Sequence, residues 1–202
     1  MKRAIYVHGK GGSAAEAEHY RPLLPGWDVV GFDYRAQTPW DAKEEFSRFF
    51  DAQSAGQDAV MVIADSIGAF FALHALSEKP IARALLISPV VDMEALIQNM
   101  MKWAGVTEEA LRQAGEIPVE GGETLSWESL CYVREHPIRW NKPASILYGE
   151  RDALTSWETI DAFAARTGAE LTVMPGGEHW FHTPEQMAFL DDWVKGVMKS
   201  PV

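Results

Sequence analysis

Ser66 lies in a segment whose residue types suit a nucleophile held on a sharp turn. The apolar run 60–64 leads directly into Asp-Ser-Ile-Gly at 65–68, and a small, apolar helical pattern follows. Small residues on both sides of the turn, Ala64 and Gly68, let neighbouring backbone approach closely. Such a turn strains the serine and places it at a helix N-terminus, where developing negative charge is favoured. The pattern predicts a nucleophilic serine, and an ordinary strand-to-helix turn is the alternative.

A nucleophilic serine needs a base and an acid that orients the base, and the chain offers both at similar places. Asp152 ends the turn Gly-Glu-Arg-Asp that follows the apolar run 144–148. His179 ends the turn Pro-Gly-Gly-Glu-His that follows the run 171–174. We therefore predict a catalytic triad in the chain order Ser66, Asp152, His179. Asp92, which also follows an apolar run, is the alternative acid.

A glycine-rich loop at 9–12 follows the first apolar run and could supply donors for an oxyanion. We predict that the backbone amides of Lys10 and Ile67 form the oxyanion hole, with Gly11 as the substitute for Lys10. His8 is expected to brace this loop. A phosphate-binding loop is the alternative, but the segment lacks both the Gly-Lys-Ser/Thr ending and the Gly-x-Gly-x-x-Gly spacing.

These residues all follow short runs that are apolar almost throughout, as is typical of strands buried on both faces of a parallel sheet. Helical patterns with one apolar face alternate with the runs, and Thr183 before Pro184 is a good helix start. The pattern predicts a doubly wound α/β fold, in which ligands bind at the carboxyl ends of the strands. The six predicted strands are 4–7, 28–32, 59–64, 84–88, 144–148 and 171–174, and the main predicted helices are 40–54, 67–77, 156–167 and 184–198.

The segment 92–140 is far longer than a single crossover helix requires. Its pattern predicts helices at 93–104 and 107–114, a turn at Gly121-Gly122, and a helix near 127–135. Long structured connections are usually functional, so we predict a lid over the site. An ordinary elaboration of the fold is the alternative.

Several residues are candidates for contact with a substrate, and most of them lie in the predicted lid. Large apolar side chains at helical spacing can line a pocket or can pack in the core, and both interpretations stay open. The candidates are Met100, Trp103, Trp127, Gly11 and His182.

The motifs together resemble the α/β-hydrolase superfamily. The resemblance rests on His-Gly-Lys-Gly at 8–11, Ala-Asp-Ser-Ile-Gly at 64–68, Gly-Glu-Arg-Asp at 149–152, and His179. It runs along nearly the whole chain and begins at the family's His-Gly strand, without the usual first hairpin. Ala64 is a departure, since the family usually has glycine there. The resemblance implies one α/β-hydrolase domain over 1–202 and a serine hydrolase with Ser66 as nucleophile, His179 as base and Asp152 as acid.

Composition indicates which kinds of partner and which cellular compartment to expect. The 202 residues include 18 Lys and Arg against 29 Asp and Glu, a net charge of −11 that disfavours nucleic acid. No apolar run is long enough for a signal peptide or a membrane span, and the single cysteine fits a reducing compartment, so we expect a cytoplasmic protein.

His182 and His179 have the spacing of paired metal ligands, but no third ligand cluster accompanies them. We expect neither metal nor cofactor.

The sequence therefore predicts a hydrolase of small-molecule carboxylic esters with a small or apolar acyl group. The reaction would proceed through an acyl-enzyme on Ser66. A thioesterase, amidase or acyltransferase on the same triad is the nearest alternative. A non-catalytic binding protein on a hydrolase scaffold is the alternative from another class.

Overall fold

Six parallel strands form the central sheet. The computed structural model describes residues 1–120 and 122–199, so Gly121 of the predicted turn lies outside the described residues. The strand order is β2-β1-β3-β4-β7-β8, and every neighbouring pair is parallel. The predicted α/β fold class is confirmed. The strands are β1 Lys2–Val7, β2 Trp27–Phe32, β3 Ala59–Asp65, β4 Arg83–Ile87, β7 Ala144–Gly149 and β8 Glu170–Met174.

The strands read as continuous apolar runs because both faces of the sheet are covered. In β1, Ile5 and Val7 belong to the apolar cluster on one face, whereas Ala4 and Tyr6 belong to the cluster on the other. Alternate residues of a strand point to opposite faces, so a strand between two helical layers needs apolar residues at every position.

Helices cover both faces of the sheet. The cluster on one face includes side chains from α2, α3 and α7, and the cluster on the other includes side chains from α1 and α8. The predicted start of α8 is confirmed, since the Thr183 hydroxyl accepts a hydrogen bond from the Gln186 amide at 3.3 Å. These helices are α1 Ala17–Tyr20, α2 Pro39–Ser54, α3 Ser66–Ala75, α7 Trp157–Thr167 and α8 Pro184–Val197.

The segment 92–140, hereafter the insertion segment, lies between β4 and β7. It contains three helices, as predicted, and a short antiparallel hairpin that was not predicted. Each hairpin strand has only three residues, which is too short for a period of two to stand out. The elements are α4 Met93–Trp103, α5 Glu108–Ala114, β5 Glu116–Pro118, β6 Thr124–Ser126 and α6 Trp127–Glu135.

Buried side chains of the insertion segment, including Ile97, Leu111 and Leu130, join the same apolar cluster as α3. The segment is therefore packed against the sheet domain rather than projecting from it. None of the helices in the described residues is both long and apolar enough to span a membrane.

Gly68 and Gly196 offer a matched test of backbone packing, because both lie inside helices. A Cβ at Gly68 would lie 2.2 Å from the His8 carbonyl oxygen, whereas a Cβ at Gly196 meets nothing within 4 Å. We expect Gly68→Ala to lower the free energy of unfolding by about 1–3 kcal/mol, as overpacking does. Gly196→Ala should raise it by up to about 1 kcal/mol. Chemical denaturation of both variants measures the difference, and equal effects would contradict the close approach.

Candidate active site

Ser66 stands on a strained turn between β3 and α3. Its φ is 50°, in the left-handed region that non-glycine residues seldom occupy, and this conformation costs about 1–3 kcal/mol. Two contacts hold the turn. Gly68 lets α3 pack against the His8 carbonyl, and the Val90 amide donates a hydrogen bond to the Ser66 carbonyl oxygen at 3.1 Å. The turn leaves Ser66 partly exposed at the carboxyl edge of the sheet.

The structure brings Ser66, His179 and Asp152 together in one hydrogen-bonded chain. Ser66 Oγ lies 2.8 Å from His179 Nε2, and His179 Nδ1 lies 2.7 Å from Asp152 Oδ2. A carboxylate only accepts, so Nδ1 carries the proton and donates to Asp152. Nε2 is then free to accept the Ser66 hydroxyl proton.

Asp152 is fixed by its own turn. Its side chain is fully buried, and its Oδ1 accepts hydrogen bonds from the amides of Leu154 and Thr155 at 2.8 and 3.0 Å. The second oxygen is left for His179. Both carboxylate oxygens are thus satisfied, as a buried charge requires.

The loops that carry Asp152 and His179 touch through Gly149. A Cβ at Gly149 would lie 2.4 Å from the Glu178 carbonyl oxygen, so only glycine allows this approach. Backbone bonds reinforce the contact, because the Arg151 amide donates to the Gly177 carbonyl at 2.8 Å. The distance between the acid and the imidazole is therefore set by backbone rather than by flexible side chains.

Asp92, the alternative acid, has a different role in the structure. It is the N-cap of α4, and its carboxylate accepts a hydrogen bond from the Ala95 amide at 2.9 Å.

The predicted oxyanion donors share a cavity with the serine. Lys10 and Ile67 line one cavity together with Ser66. The Ile67 amide belongs to the first turn of α3, where helix amides have no intrahelical acceptor.

His8 braces the loop before Lys10. Its Nδ1–H donates to the Gly9 carbonyl at 2.8 Å, and its ring stacks on Tyr34 with centroids 4.4 Å apart. The Tyr34 hydroxyl donates to the His8 carbonyl at 3.0 Å. Burial raises the pKa of Tyr34 to about 12, so this donor keeps its proton at neutral pH.

A cavity of about 700 Å³ lies beneath the insertion segment and reaches Ser66; we call it the apolar cavity. Of the predicted substrate contacts in the insertion segment, Met100 and Trp103 line this cavity. Trp127 does not line it and packs against the core instead. Helical spacing alone could not separate these two tryptophans. Sequence reasoning missed the other apolar residues of the wall, which include Val90, Leu96, Val106, Ile117 and Leu154.

A second cavity of about 760 Å³ also reaches Ser66 and shares Lys10 and Leu154 with the first; we call it the carboxylate cavity. It contains the predicted residues Gly11 and His182, together with His179. The His182 Nδ1–H donates to the Trp180 carbonyl at 2.7 Å. Sequence reasoning missed the two acids of this cavity, Glu16 and Asp65, although the position of Asp65 next to Ser66 was a signal.

The pKa of the Asp65 carboxyl is shifted far from its ordinary value. Burial is the main cause that raises its pKa to about 7; the charge of His179 works against this rise, and the nearby charge of Glu16 adds to it. No metal-ligand cluster of three or more His, Cys, Asp or Glu side chains occurs in residues 1–120 and 122–199.

Comparison with known proteins finds similarity only at the level of structure. No family model and no curated protein matches the sequence. Est1E from Butyrivibrio proteoclasticus, solved with ferulic acid bound, aligns with a TM-score of 0.79 at 17% identity over 98% of this chain and 88% of that one. Alpha/beta hydrolase domain-containing protein 10 from mouse aligns with a TM-score of 0.74 at 16% identity, covering 98% and 89% of the two chains.

The chain has the α/β-hydrolase fold. An esterase from Pyrococcus furiosus adds a third match, with a TM-score of 0.60 at 23% identity over 98% of this chain and 80% of that one. At these identities the likeness is one of fold. The α/β-hydrolase fold accounts for the six parallel strands and for the common edge at which Ser66, Asp152 and His179 meet.

Asp152→Asn and Asp92→Asn remove the same charge at two sites. The amide at 152 favours the wrong tautomer of His179, so we expect kcat to fall by a factor on the order of 10⁴. Asn caps helices as well as Asp, so Asp92→Asn should preserve both kcat and Tm. Hydrolysis of p-nitrophenyl butyrate by the two variants measures this ranking. The opposite ranking would move the acid to Asp92.

Proposed function

We propose that the chain is a serine hydrolase that cleaves carboxylic esters with a small or apolar acyl group through an acyl-enzyme. The observation that carries this proposal is the hydrogen-bonded chain from Ser66 through His179 to Asp152, with distances of 2.8 and 2.7 Å. This arrangement can both remove the serine proton and stabilise the imidazolium that results.

The first half of the reaction forms the acyl-enzyme. Ser66 Oγ attacks the ester carbonyl carbon as its proton passes to His179 Nε2. Asp152 stays ionised and holds the imidazolium in place. The amides of Lys10 and Ile67 donate to the oxygen that becomes negative. Collapse of the tetrahedral intermediate completes this first half, because the carbon–oxygen bond to the leaving group breaks, His179 gives its proton to that oxygen, and the alcohol departs.

The second half releases the acid. Water then attacks the acyl-enzyme with His179 as base, and the acid leaves as Ser66 regains its proton. The reaction requires no cofactor.

The two cavities give the substrate a direction. The leaving group takes its proton from His179, and His179 lines the carboxylate cavity but not the apolar one. The leaving group therefore occupies the carboxylate cavity, and the acyl group occupies the apolar cavity beside the amides of Lys10 and Ile67. In this proposal the insertion segment is a lid that forms the acyl-binding wall of a single domain.

Two further observations agree with this function. Est1E, described with bound ferulic acid, and the Pyrococcus furiosus esterase share the fold. The single cysteine and the net charge of −11 support a cytoplasmic enzyme acting on small molecules rather than on nucleic acid.

Ser66→Ala tests the nucleophile. The substitution removes one hydroxyl at a partly exposed site, so we expect the fold and Tm to be kept while hydrolysis of p-nitrophenyl butyrate is lost. A fluorophosphonate probe should label the wild type and not the variant. Wild-type turnover by Ser66→Ala would refute the assignment, and an unlabelled wild type would favour a binding protein.

Variants of Trp103 and Trp127 distinguish a residue of the acyl-binding wall from a residue that packs against the core. Trp103 is 62% exposed and lines the apolar cavity, so Trp103→Ala should keep Tm. It should lower kcat/KM for long acyl chains, because transition-state binding loses about 1–3 kcal/mol of apolar contact. The kcat/KM for acetyl esters should not change. Trp127→Ala should instead lower Tm without changing the preference for chain length. An acyl-length series with p-nitrophenyl esters, measured alongside thermal melts, decides the matter. A large loss of Tm in Trp103→Ala with unchanged preference would contradict the assignment.

A further inference from the structure

The carboxylate cavity holds charged groups that the proposed mechanism does not use. Asp65 and Glu16 both line it, and Asp65 directly precedes the nucleophile. The Asp65 carboxyl accepts a hydrogen bond from the Ser66 backbone, and no side chain among the described residues donates one to it. A partly buried carboxylate without a side-chain donor beside a reacting ester has capacity for a ligand.

The cations of this cavity are already engaged. The Lys10 ammonium forms an ion pair with Glu123 of the insertion segment. His19 Nε2 lies 2.8 Å from Asp191 Oδ1, and His179 is bonded to Asp152. Glu16 accepts from the Tyr6 hydroxyl at 2.5 Å and from the Ser13 amide at 3.1 Å, so its partners are neutral. Within residues 1–120 and 122–199, no side-chain cation forms an ion pair with Asp65 or Glu16.

Aromatic rings also line the carboxylate cavity. Tyr6 and Tyr20 are buried cavity residues whose ring centroids lie 5.1 Å apart, and Trp180 is a cavity residue that is 68% exposed. Ring faces attract ammonium groups, and carboxylates do so more strongly. Carboxylates and aromatic rings in one cavity are a combination suited to an organic cation.

We propose that the leaving group of the substrate is a small alcohol bearing an ammonium group, seated in the carboxylate cavity with its charge at Asp65. This inference rests on the proposed ester hydrolysis, because the leaving group must lie on the side of His179 to receive its proton. Since Asp65 and Ser66 are adjacent, a cation a few bonds from the scissile oxygen reaches the carboxylate while the carbonyl lies at Ser66.

Recognition by Asp65 depends on pH, because its pKa is about 7. Above that pH Asp65 is negative and favours the cation, and below it the neutral acid does not. The raised pKa values of the tyrosines keep these groups neutral near pH 7, so they do not change charge together with Asp65. The titratable groups that face or surround Asp65 are Tyr6, Lys10, Glu16, His19, Tyr20, Tyr34, His179 and His182.

Two esters of the same shape, one cationic and one neutral, isolate the effect of the leaving group's charge on kcat/KM. Butyrylcholine and 3,3-dimethylbutyl butyrate differ only in having nitrogen or carbon at the branched centre. We expect the wild type to favour butyrylcholine in kcat/KM by about tenfold or more, because a quaternary ammonium, which has no N–H to donate, is still attracted by the carboxylate charge and by ring faces. The ratio should rise as pH increases through about 7. The dependence of catalysis on His179 cancels, because both esters share it.

Two variants assign the preference to Asp65. Asp65→Asn should bring the ratio close to one at every pH. Glu178→Gln removes the same charge from a residue that is exposed and outside the cavity lining, so it should keep the wild-type ratio. An Asp65→Asn variant that keeps the wild-type ratio, or a Glu178→Gln variant that loses it, would overturn the role of Asp65.

The wild type alone also decides the proposal if Asp65→Asn fails to fold. Choline should inhibit hydrolysis of 3,3-dimethylbutyl butyrate more strongly than 3,3-dimethylbutanol does, and increasingly so above pH 7. Hydrolysis of both esters at equal rates, or equal inhibition by both alcohols, would overturn the cationic leaving group and leave the esterase intact. Absence of ester hydrolysis together with absence of fluorophosphonate labelling would overturn the proposed function itself.

Discussion

The left-handed backbone of Ser66 is the constraint on which the rest of the site depends. A residue with φ of 50° returns to an ordinary conformation unless its surroundings hold it. Here the N-terminus of α3 is packed so closely on the His8 carbonyl that only glycine fits at position 68, and the Val90 amide holds the Ser66 carbonyl from the other side. The strain raises the hydroxyl above the sheet edge, where the imidazole of His179 meets it. The loops of Asp152 and His179 need only meet each other, and Gly149 allows them to do so.

The two cavities that reach Ser66 differ in the chemistry of their linings. In one, side chains from the insertion segment form an apolar wall beside the predicted oxyanion donors. In the other, Asp65 and Glu16 lie among aromatic rings near the imidazole. Burial near Glu16 raises the pKa of Asp65, and a cation would lower it again, so ligand and proton compete for the same carboxylate. Under the proposed function, this difference would place the acyl group of an ester beneath the insertion segment and its alcohol beside His179.

The fold was largely predictable from sequence because parallel strands buried on both faces leave long apolar runs, and turn residues mark their ends. The positions of Ser66, Asp152 and His179 could be inferred for the same reason, since each follows a strand. The β5–β6 hairpin was missed because three residues are too few to show a period. The difference between Trp103 and Trp127 depends on which helix face meets the core, which spacing does not determine. The role of Asp65 depends on Glu16 and Tyr20, which reach it from distant parts of the chain.

If Ser66 carries the acyl group during turnover, acid-quench mass spectrometry will detect that group on the serine. The wild type would be mixed with p-nitrophenyl butyrate, quenched within the first turnovers, digested and mapped. We expect the added mass of one butyryl group on the peptide that contains Ser66, together with a burst of p-nitrophenol equal to the enzyme concentration when deacylation limits the rate. Hydrolysis that proceeds with the butyryl group on another residue would contradict this expectation.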